Sequence, residues 1–113
     1  MPQLTPLTTP KLYAAQTTTV RTAKNGPGAL NGWFVTNPNA STAYVQFFDV
    51  AGSGTVTLGT TVPVLSLGIP STAAANMNGC NIEFVNGIRL AVTTTATGST
   101  APSTGCDVNV WVY

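Results

Sequence analysis

The side chains that could carry acid–base or metal chemistry are few in this chain. It contains no histidine, and its carboxylate side chains are those of Asp49, Glu83 and Asp107. Histidine is the usual general base near neutral pH and the commonest metal ligand. Catalysis by paired carboxylates, as in glycoside hydrolysis, needs two of them within about 5–10 Å, and the spacing of these three does not require it. We therefore predict no enzymatic activity, no cofactor and no metal site, and we assign Asp49 to capping the glycine-rich turn that follows it.

Cys80 and Cys106 are the only cysteines. Two thiols without histidine or further cysteine partners do not make a typical zinc site. The start of the chain, MPQLTPLTTPKLY, has no basic segment followed by an apolar run, so we expect no signal peptide, and either synthesis in a cytoplasm or expression as a mature form. Thiols stay reduced in that compartment. This favours two buried free thiols, with a disulfide as the open alternative.

Charged residues make up only 6% of the chain, and the formal net charge is +1. An ordinary soluble domain has about 25% charged residues. Because phosphate recognition needs clustered lysine and arginine, we predict no nucleic-acid binding. No apolar run approaches the roughly 18 residues of a membrane span, so we predict no membrane partner. A nearly neutral surface lets many copies pack together without repulsion, although a secreted threonine-rich β domain would have the same composition.

Turn residues recur about every ten positions, and the segments between them alternate apolar and polar residues. This pattern predicts an all-β fold: a single antiparallel β-sandwich of about seven or eight short strands, of which the jelly roll is one arrangement. The final segment, CDVNVWVY, is the strongest strand. Its valines share one face, and Trp111 and Tyr113 lie on the other, where they need a cover.

The stretch LNGWFVTNPNASTAYVQFFDV (30–50) is predicted to be the central β-hairpin, with its turn at residues 37–41. Residues 80–85 and 87–95 are predicted to form a second hairpin that pairs Phe84 with Ile88 and Glu83 with Arg89. The intervening chain is predicted to hold strands at 55–60 and 62–69 and a polar loop at 70–79.

Residues 1–14 carry a proline at every fourth position, which forbids a helix and favours extended backbone. We predict an extended arm at 1–14 and a β-sandwich domain at 15–113, with a disordered tail as the alternative for the isolated chain. An arm of this kind would order against a neighbouring subunit. The predicted interaction residues are the apolar side chains of the arm and the outward aromatics of the last strand: Leu4, Leu7, Leu12, Tyr13, Trp111 and Tyr113.

Two functions from different classes fit these observations. One is a structural module of a virus particle, which self-associates and clamps a larger shell. The other is a carbohydrate-binding module that uses Trp33, Trp111 or Tyr113 as stacking platforms. A β-sandwich serves both functions, so the fold does not decide between them.

Four segments carry a resemblance to a known family: GWFVTNPNASTAYVQFFDV (32–50), TVTLGTTVP (55–63), IEFVNGIRLAVTTTATGSTAP (82–102) and VNVWVY (108–113). Together they resemble small phage-encoded virion accessory proteins, notably capsid decoration (cement) proteins. The resemblance covers about residues 15–113 and leaves the arm outside it. It implies a β-sandwich or jelly-roll subunit, commonly a homotrimer, which stabilises the outer surface of the head where major capsid proteins meet. A neck, baseplate or fibre-attachment position stays open.

Overall fold

The computed structural model describes residues 9–113, and this range folds into eight β-strands without a helix. No helix within it is therefore long and apolar enough to cross a membrane. The strands are β1 (Thr9–Gln16), β2 (Arg21–Lys24), β3 (Gly28–Asn37), β4 (Ala43–Phe48), β5 (Leu65–Ile69), β6 (Ala73–Phe84), β7 (Ile88–Thr93) and β8 (Cys106–Val112).

The strands form two antiparallel sheets of four. The first sheet has the order β1-β8-β3-β6, and the second has the order β2-β7-β4-β5. The chain is thus paired like one long hairpin: β4 with β5, β3 with β6, β2 with β7 and β1 with β8. Rolling that hairpin up brings β8 beside β3 and β7 beside β4. This is the jelly-roll arrangement, and the predicted all-β sandwich is confirmed.

The core lies between the inner faces of the two sheets. Alternation along β8 buries Cys106, Val108, Val110 and Val112, as the sequence pattern predicts. Across the core, the rings of Trp33 and Phe47 lie 6.4 Å apart between centroids. Each large apolar side chain buried in this way stabilises the fold by about 1.5–3 kcal/mol. Trp33 is only 8% exposed, so it belongs to the core and offers no stacking platform to a sugar.

The predicted hairpin at 30–50 is wrong in its pairing. Its two strands form as β3 and β4, but they lie in different sheets. The connection crosses between the sheets, and the buried Asn37 side chain holds it by bonding both to the turn and to the distant end of β5. Its Nδ2 donates to the carbonyls of Ser41 at 2.9 Å, Ile69 at 2.9 Å and Pro70 at 3.1 Å. The β4–β5 pair is the innermost hairpin instead.

The second predicted hairpin is also wrong. β6 pairs with β3, which places Phe84 opposite Gly28, and β7 pairs with β4, which places Arg89 opposite Phe48. The Asp49 carboxylate holds the connection between β6 and β7 across the two sheets. It accepts the backbone N–H groups of Val85 at 3.1 Å and of Asn86 at 2.7 Å, and also that of Gly87. Asp49 therefore caps this distant turn rather than the one that follows it.

Between β4 and β6 the predicted element bounds change. Residues 55–60 form a loop rather than a strand, the strand predicted at 62–69 is confined to Leu65–Ile69, and most of the predicted loop 70–79 belongs to β6. Alanine and asparagine have low β propensity. Pairing with β3 over Asn37–Gly32 imposes the strand on them.

The first described residues belong to the first sheet. β1 pairs with β8 from Thr9 opposite Val112 to Gln16 opposite Cys106. The boundary predicted between arm and domain, at residues 14 and 15, therefore falls inside a strand of the sandwich. Of the arm's predicted interaction residues, Leu4 and Leu7 lie outside the described residues.

Candidate functional site

The outer face of the second sheet is covered by the chain's own loops. Gln46, Phe48, Ala91 and Thr93 point away from the core by strand alternation, yet each is fully buried. The loop after β7 contributes the Gly98 carbonyl, which accepts from Gln46 Nε2 at 3.1 Å. Little of this sheet's outer face is left for a partner.

The loop after β4 covers the other end of the same face. The Arg89 guanidinium donates from one nitrogen to the carbonyls of Ala51 at 3.0 Å and Gly54 at 2.9 Å. On the opposite side, the Ser66 hydroxyl donates to the Ala96 carbonyl at 2.7 Å. These bonds hold both loops against the sheet.

The outer face of the first sheet has no such cover within residues 9–113. We call its twelve central positions the open face; they are Pro10, Leu12, Ala14, Gly32, Phe34, Thr36, Ala74, Asn76, Asn78, Asp107, Asn109 and Trp111. One row across the four strands is Leu12, Asn109, Phe34 and Asn76. Leu12 is 60% exposed and Phe34 is 40% exposed. Apolar side chains thus alternate with amides on an accessible surface.

Trp111 lies in the next row, with Pro10 on one side and Gly32 on the other. A Cβ added at Gly32 would stand 2.5 Å from the Met77 carbonyl oxygen, so this position requires glycine. Since Gly32 has no side chain, the indole has no neighbouring side chain on β3 in that row. The space beside Trp111 on the β3 side is therefore free of side chains in that row.

The open face is almost uncharged. Asp107 is its one charged residue and lies in the row at one end, opposite Thr36. Its Oδ1 accepts the Ala15 backbone N–H at 2.9 Å, which ties the carboxylate to β1. A surface of this composition matches the centre of protein interfaces, where aromatic residues are enriched and charged residues depleted.

The structure separates the predicted interaction residues that it describes. Leu12 and Trp111 share the open face. Tyr13 points inward instead, and its hydroxyl donates to the Thr22 carbonyl at 3.3 Å. Burial raises the pKa of the Tyr13 phenol, and the nearby Arg21 lowers it by less. Tyr113 lies beyond the end of β8, where its hydroxyl bonds Asn81 Oδ1.

Phe34 is the main residue of the open face that the sequence analysis missed. It follows Trp33 in the stretch predicted to be the central hairpin, and no interaction role was assigned to it. The available signal was alternation: Trp33 and Val35 are buried, and Phe34 between them must face the other way.

The groups suited to chemistry have structural roles in the described part of the chain. Both cysteines are free thiols; Cys106 is buried, and Cys80 is partly buried and lies 3.3 Å from the Leu30 carbonyl oxygen. Burial raises the pKa of the Cys106 thiol, and the neighbouring Asp107 raises it further. Among residues 9–113 no three His, Cys, Asp or Glu side chains are grouped so that they could hold a metal ion.

Comparison with known proteins finds no match: no protein-family model, no curated protein and no solved structure is similar to this chain.

Proposed function

We propose that this chain is a non-enzymatic structural protein of a phage particle. It is a decoration (cement) protein that self-associates and stabilises the outer surface of the head by contacting neighbouring major capsid subunits. The observation that carries the proposal is the contrast between its two faces. The chain covers one sheet with its own loops and leaves an almost uncharged surface with Leu12, Phe34 and Trp111 on the other.

An exposed, almost uncharged face suits repeated contact with a protein shell. Leu12, Phe34 and Trp111 would supply apolar contact area, and the amides of Asn76, Asn78 and Asn109 would pair with polar groups of the shell. The binding free energy that one copy contributes is modest. A shell binds many copies at equivalent positions, so weak contacts add up to a stable coat.

The number of copies and the position on the particle come from the family resemblance alone. It implies a homotrimer on the head, and both stay predictions. A neck, baseplate or fibre-attachment position uses the same face and belongs to the same class of function. Assembly in the host cytoplasm follows from the same proposal.

The test is a comparison of phage particles made with and without the chain. Particles that lack it should release their DNA at a lower temperature than complete particles, and at low salt concentrations that complete particles withstand. Particles supplied with Phe34→Asp should resemble those that lack the chain, since a charge is placed in the centre of the open face. Val62→Asp is the matched control, because Val62 is 79% exposed on a loop away from that face.

The readouts are the temperature of DNA release and the number of chain copies per particle. Absence of the chain from purified particles, or equal release temperatures with and without it, would reject the proposal. A Phe34→Asp chain that binds and protects particles as well as Val62→Asp would reject the role of the open face.

Carbohydrate binding is the second candidate, favoured by the open space beside Trp111 at Gly32. Neutral sugars stack on tryptophan and bond to amides such as those of Asn78 and Asn109. Titration with neutral polysaccharides should then quench tryptophan fluorescence in the native chain and leave Trp111→Phe unaffected. Trp33 reports only on the core in both proteins, because it is buried. Absence of quenching across a polysaccharide panel would remove this candidate.

A further inference from the structure

The two long sides of the sandwich, where the sheets end, differ in how well they are closed. One side is formed by β1 and β2, and side chains close it. The Lys11 ammonium donates to the Ala23 carbonyl, and the Tyr13 hydroxyl donates to the Thr22 carbonyl at 3.3 Å. Pro10 further reduces the pairing capacity of β1, because it has no N–H to donate. We call this the closed side.

The other side is formed by β5 and β6, and its core is incompletely covered. Six partly buried hydrophobic residues pack against the core, and all except Tyr13 lie on β5 or β6: Leu65, Leu67, Ala75, Cys80 and Ile82. Near them, Met77 is 45% exposed and Val64 is 59% exposed. We call this the open side.

The edge strand β6 lacks the usual protection against pairing. Natural edge strands carry charges, prolines or bulges that prevent another strand from adding to them. The segment Ala73–Asn78 has neither charge nor proline, and it pairs regularly with β3 along its other edge. The irregular part begins only at Gly79, where φ is +68°, and continues to Asn81, where φ is +52°. Within residues 9–113, the backbone groups of this six-residue segment that point away from β3, those of every second residue, therefore have no backbone partner.

We propose that Ala73–Asn78 pairs antiparallel with the same segment of a second copy. The two first sheets then join into one continuous sheet of eight strands. The inference deepens the proposed function, since it rests on the self-association included there and names its surface. It does not depend on a location on the phage head.

A second copy is the occupant because the edge is complementary to itself. In a continuous sheet, residues opposite each other face the same way, so a two-fold axis can pass through Asn76. Asn76 then meets its own equivalent, and Ala74 meets Asn78. No charges oppose each other, and the alanines leave room for the partner's side chains. Pro10 weakens the pairing capacity of β1 at the closed side, so we expect addition to stop at two copies rather than continue into a filament.

Such a pair also enlarges the surface proposed to meet the capsid. The open faces of the two copies become one surface with Leu12, Phe34 and Trp111 presented twice. Each pair then contacts the shell at two points, which strengthens attachment without any new type of contact.

The experiment is the absolute mass of the purified full chain by light scattering, from micromolar to millimolar concentration. We expect twice the chain mass of 11.6 kDa. Asn76→Lys should return the mass to that of one chain, because it places like charges opposite each other at the two-fold axis. Ala14→Lys is the matched control, since it adds the same charge to the open face at the closed side and should leave the pair intact.

A trimer joined through another surface is compatible with this pairing only if two trimers combine into an assembly of six copies. Asn76→Lys should then reduce that assembly to three copies. A single chain at every concentration would overturn the proposal. So would an assembly whose mass is the same in Asn76→Lys and Ala14→Lys.

Cross-linking gives a second measurement that needs no added charge. In a Cys80→Ser background, Asn76→Cys should form a disulfide-linked dimer on mild oxidation, and Ala14→Cys should not. Equal cross-linking of the two variants would overturn the pairing.

Both measurements use the isolated chain. A dimer that fails to bind particles therefore rejects the phage proposal alone, and a chain that binds particles singly rejects the pairing alone.

Discussion

The two outer faces of this jelly roll start from the same strand alternation and end in different states. On the second sheet, Phe48 points outward and is fully buried under the loop that follows it; on the first sheet, Phe34 points outward and is 40% exposed. Direction within a strand thus decides which sheet face a side chain joins. The loops decide whether that face is core or surface, and the face they leave open is where a partner can bind.

The largest expected effect comes from truncating this matched pair of phenylalanines. Phe48→Ala removes a ring that is fully buried, so we expect a loss of about 3–5 kcal/mol in the free energy of unfolding. Phe34→Ala should cost less than about 1 kcal/mol, because the ring is already partly in water. Urea denaturation of both variants measures the difference. Equal losses would mean that the two faces are covered alike.

The fold class could be predicted because each strand's own residues carry it. The valines of β8 and the turn residues between strands are local signals, and the all-β sandwich follows from them. Strand pairing is different, since it depends on residues distant in sequence. Residues 37–41 have the composition of a tight hairpin turn. In the structure, however, Asn37 and Asn39 stabilise a connection that crosses from one sheet to the other. Asn39 shows this most clearly: it bonds the backbone of Thr104 with both ends of its amide.

The open face could be predicted only in part. Leu12 and Trp111 were identified as interaction residues, and the structure places both on it. Asn76 and Asn78 could not be found, because the residues around them have low β propensity and become a strand only through pairing with β3. The loops that cover the second sheet could not be predicted from the sequence either. They depend on bonds such as that from Arg89 to the carbonyls of Ala51 and Gly54, which no local pattern encodes.

A smaller effect is expected from the amides that face outward on each sheet. Gln46 is fully buried, and its Nε2 donates to Thr93 Oγ1 at 2.6 Å as well as to the Gly98 carbonyl. Gln46→Leu removes both bonds and leaves the Gly98 carbonyl without this donor. We therefore expect a loss of about 1–2 kcal/mol in the free energy of unfolding. Asn76→Leu on the open face should change stability by less than about 0.5 kcal/mol.

Thermal denaturation followed by circular dichroism compares these two variants with the native chain. Hydrogen exchange of the loop after β7 adds a local readout, since Gln46→Leu should accelerate exchange there. Should Asn76→Leu destabilise the chain as much as Gln46→Leu does, the amides on the two faces would have equivalent roles, contrary to the structure.

The smallest effect concerns Asp49, where the loop that covers the second sheet begins. Burial raises the pKa of its carboxyl, but the backbone N–H groups of Asn86, Val85 and Gly87 outweigh that effect, and the pKa lies below its usual value. The stabilisation is therefore present above the unfolded-state pKa of about 4 and is lost as the pH falls through the lower folded-state value. Asp49→Asn should lower the free energy of unfolding by about 1 kcal/mol at neutral pH. The new amide NH₂ group would face the Val85 N–H, so two donors would stand where an acceptor is needed.

The measurement for Asp49 is the difference in urea midpoint between the native chain and Asp49→Asn at a series of pH values. The rest of the chain is identical in the two proteins, so the difference isolates Asp49. It should be constant near neutral pH and shrink as the carboxyl of the native chain becomes protonated. A difference that stays constant into strong acid would show that the ionised carboxylate does not hold the β6–β7 connection. The cover on the second sheet would then depend on Arg89 and Gln46, and Asp49 would have no part in the contrast between the two faces.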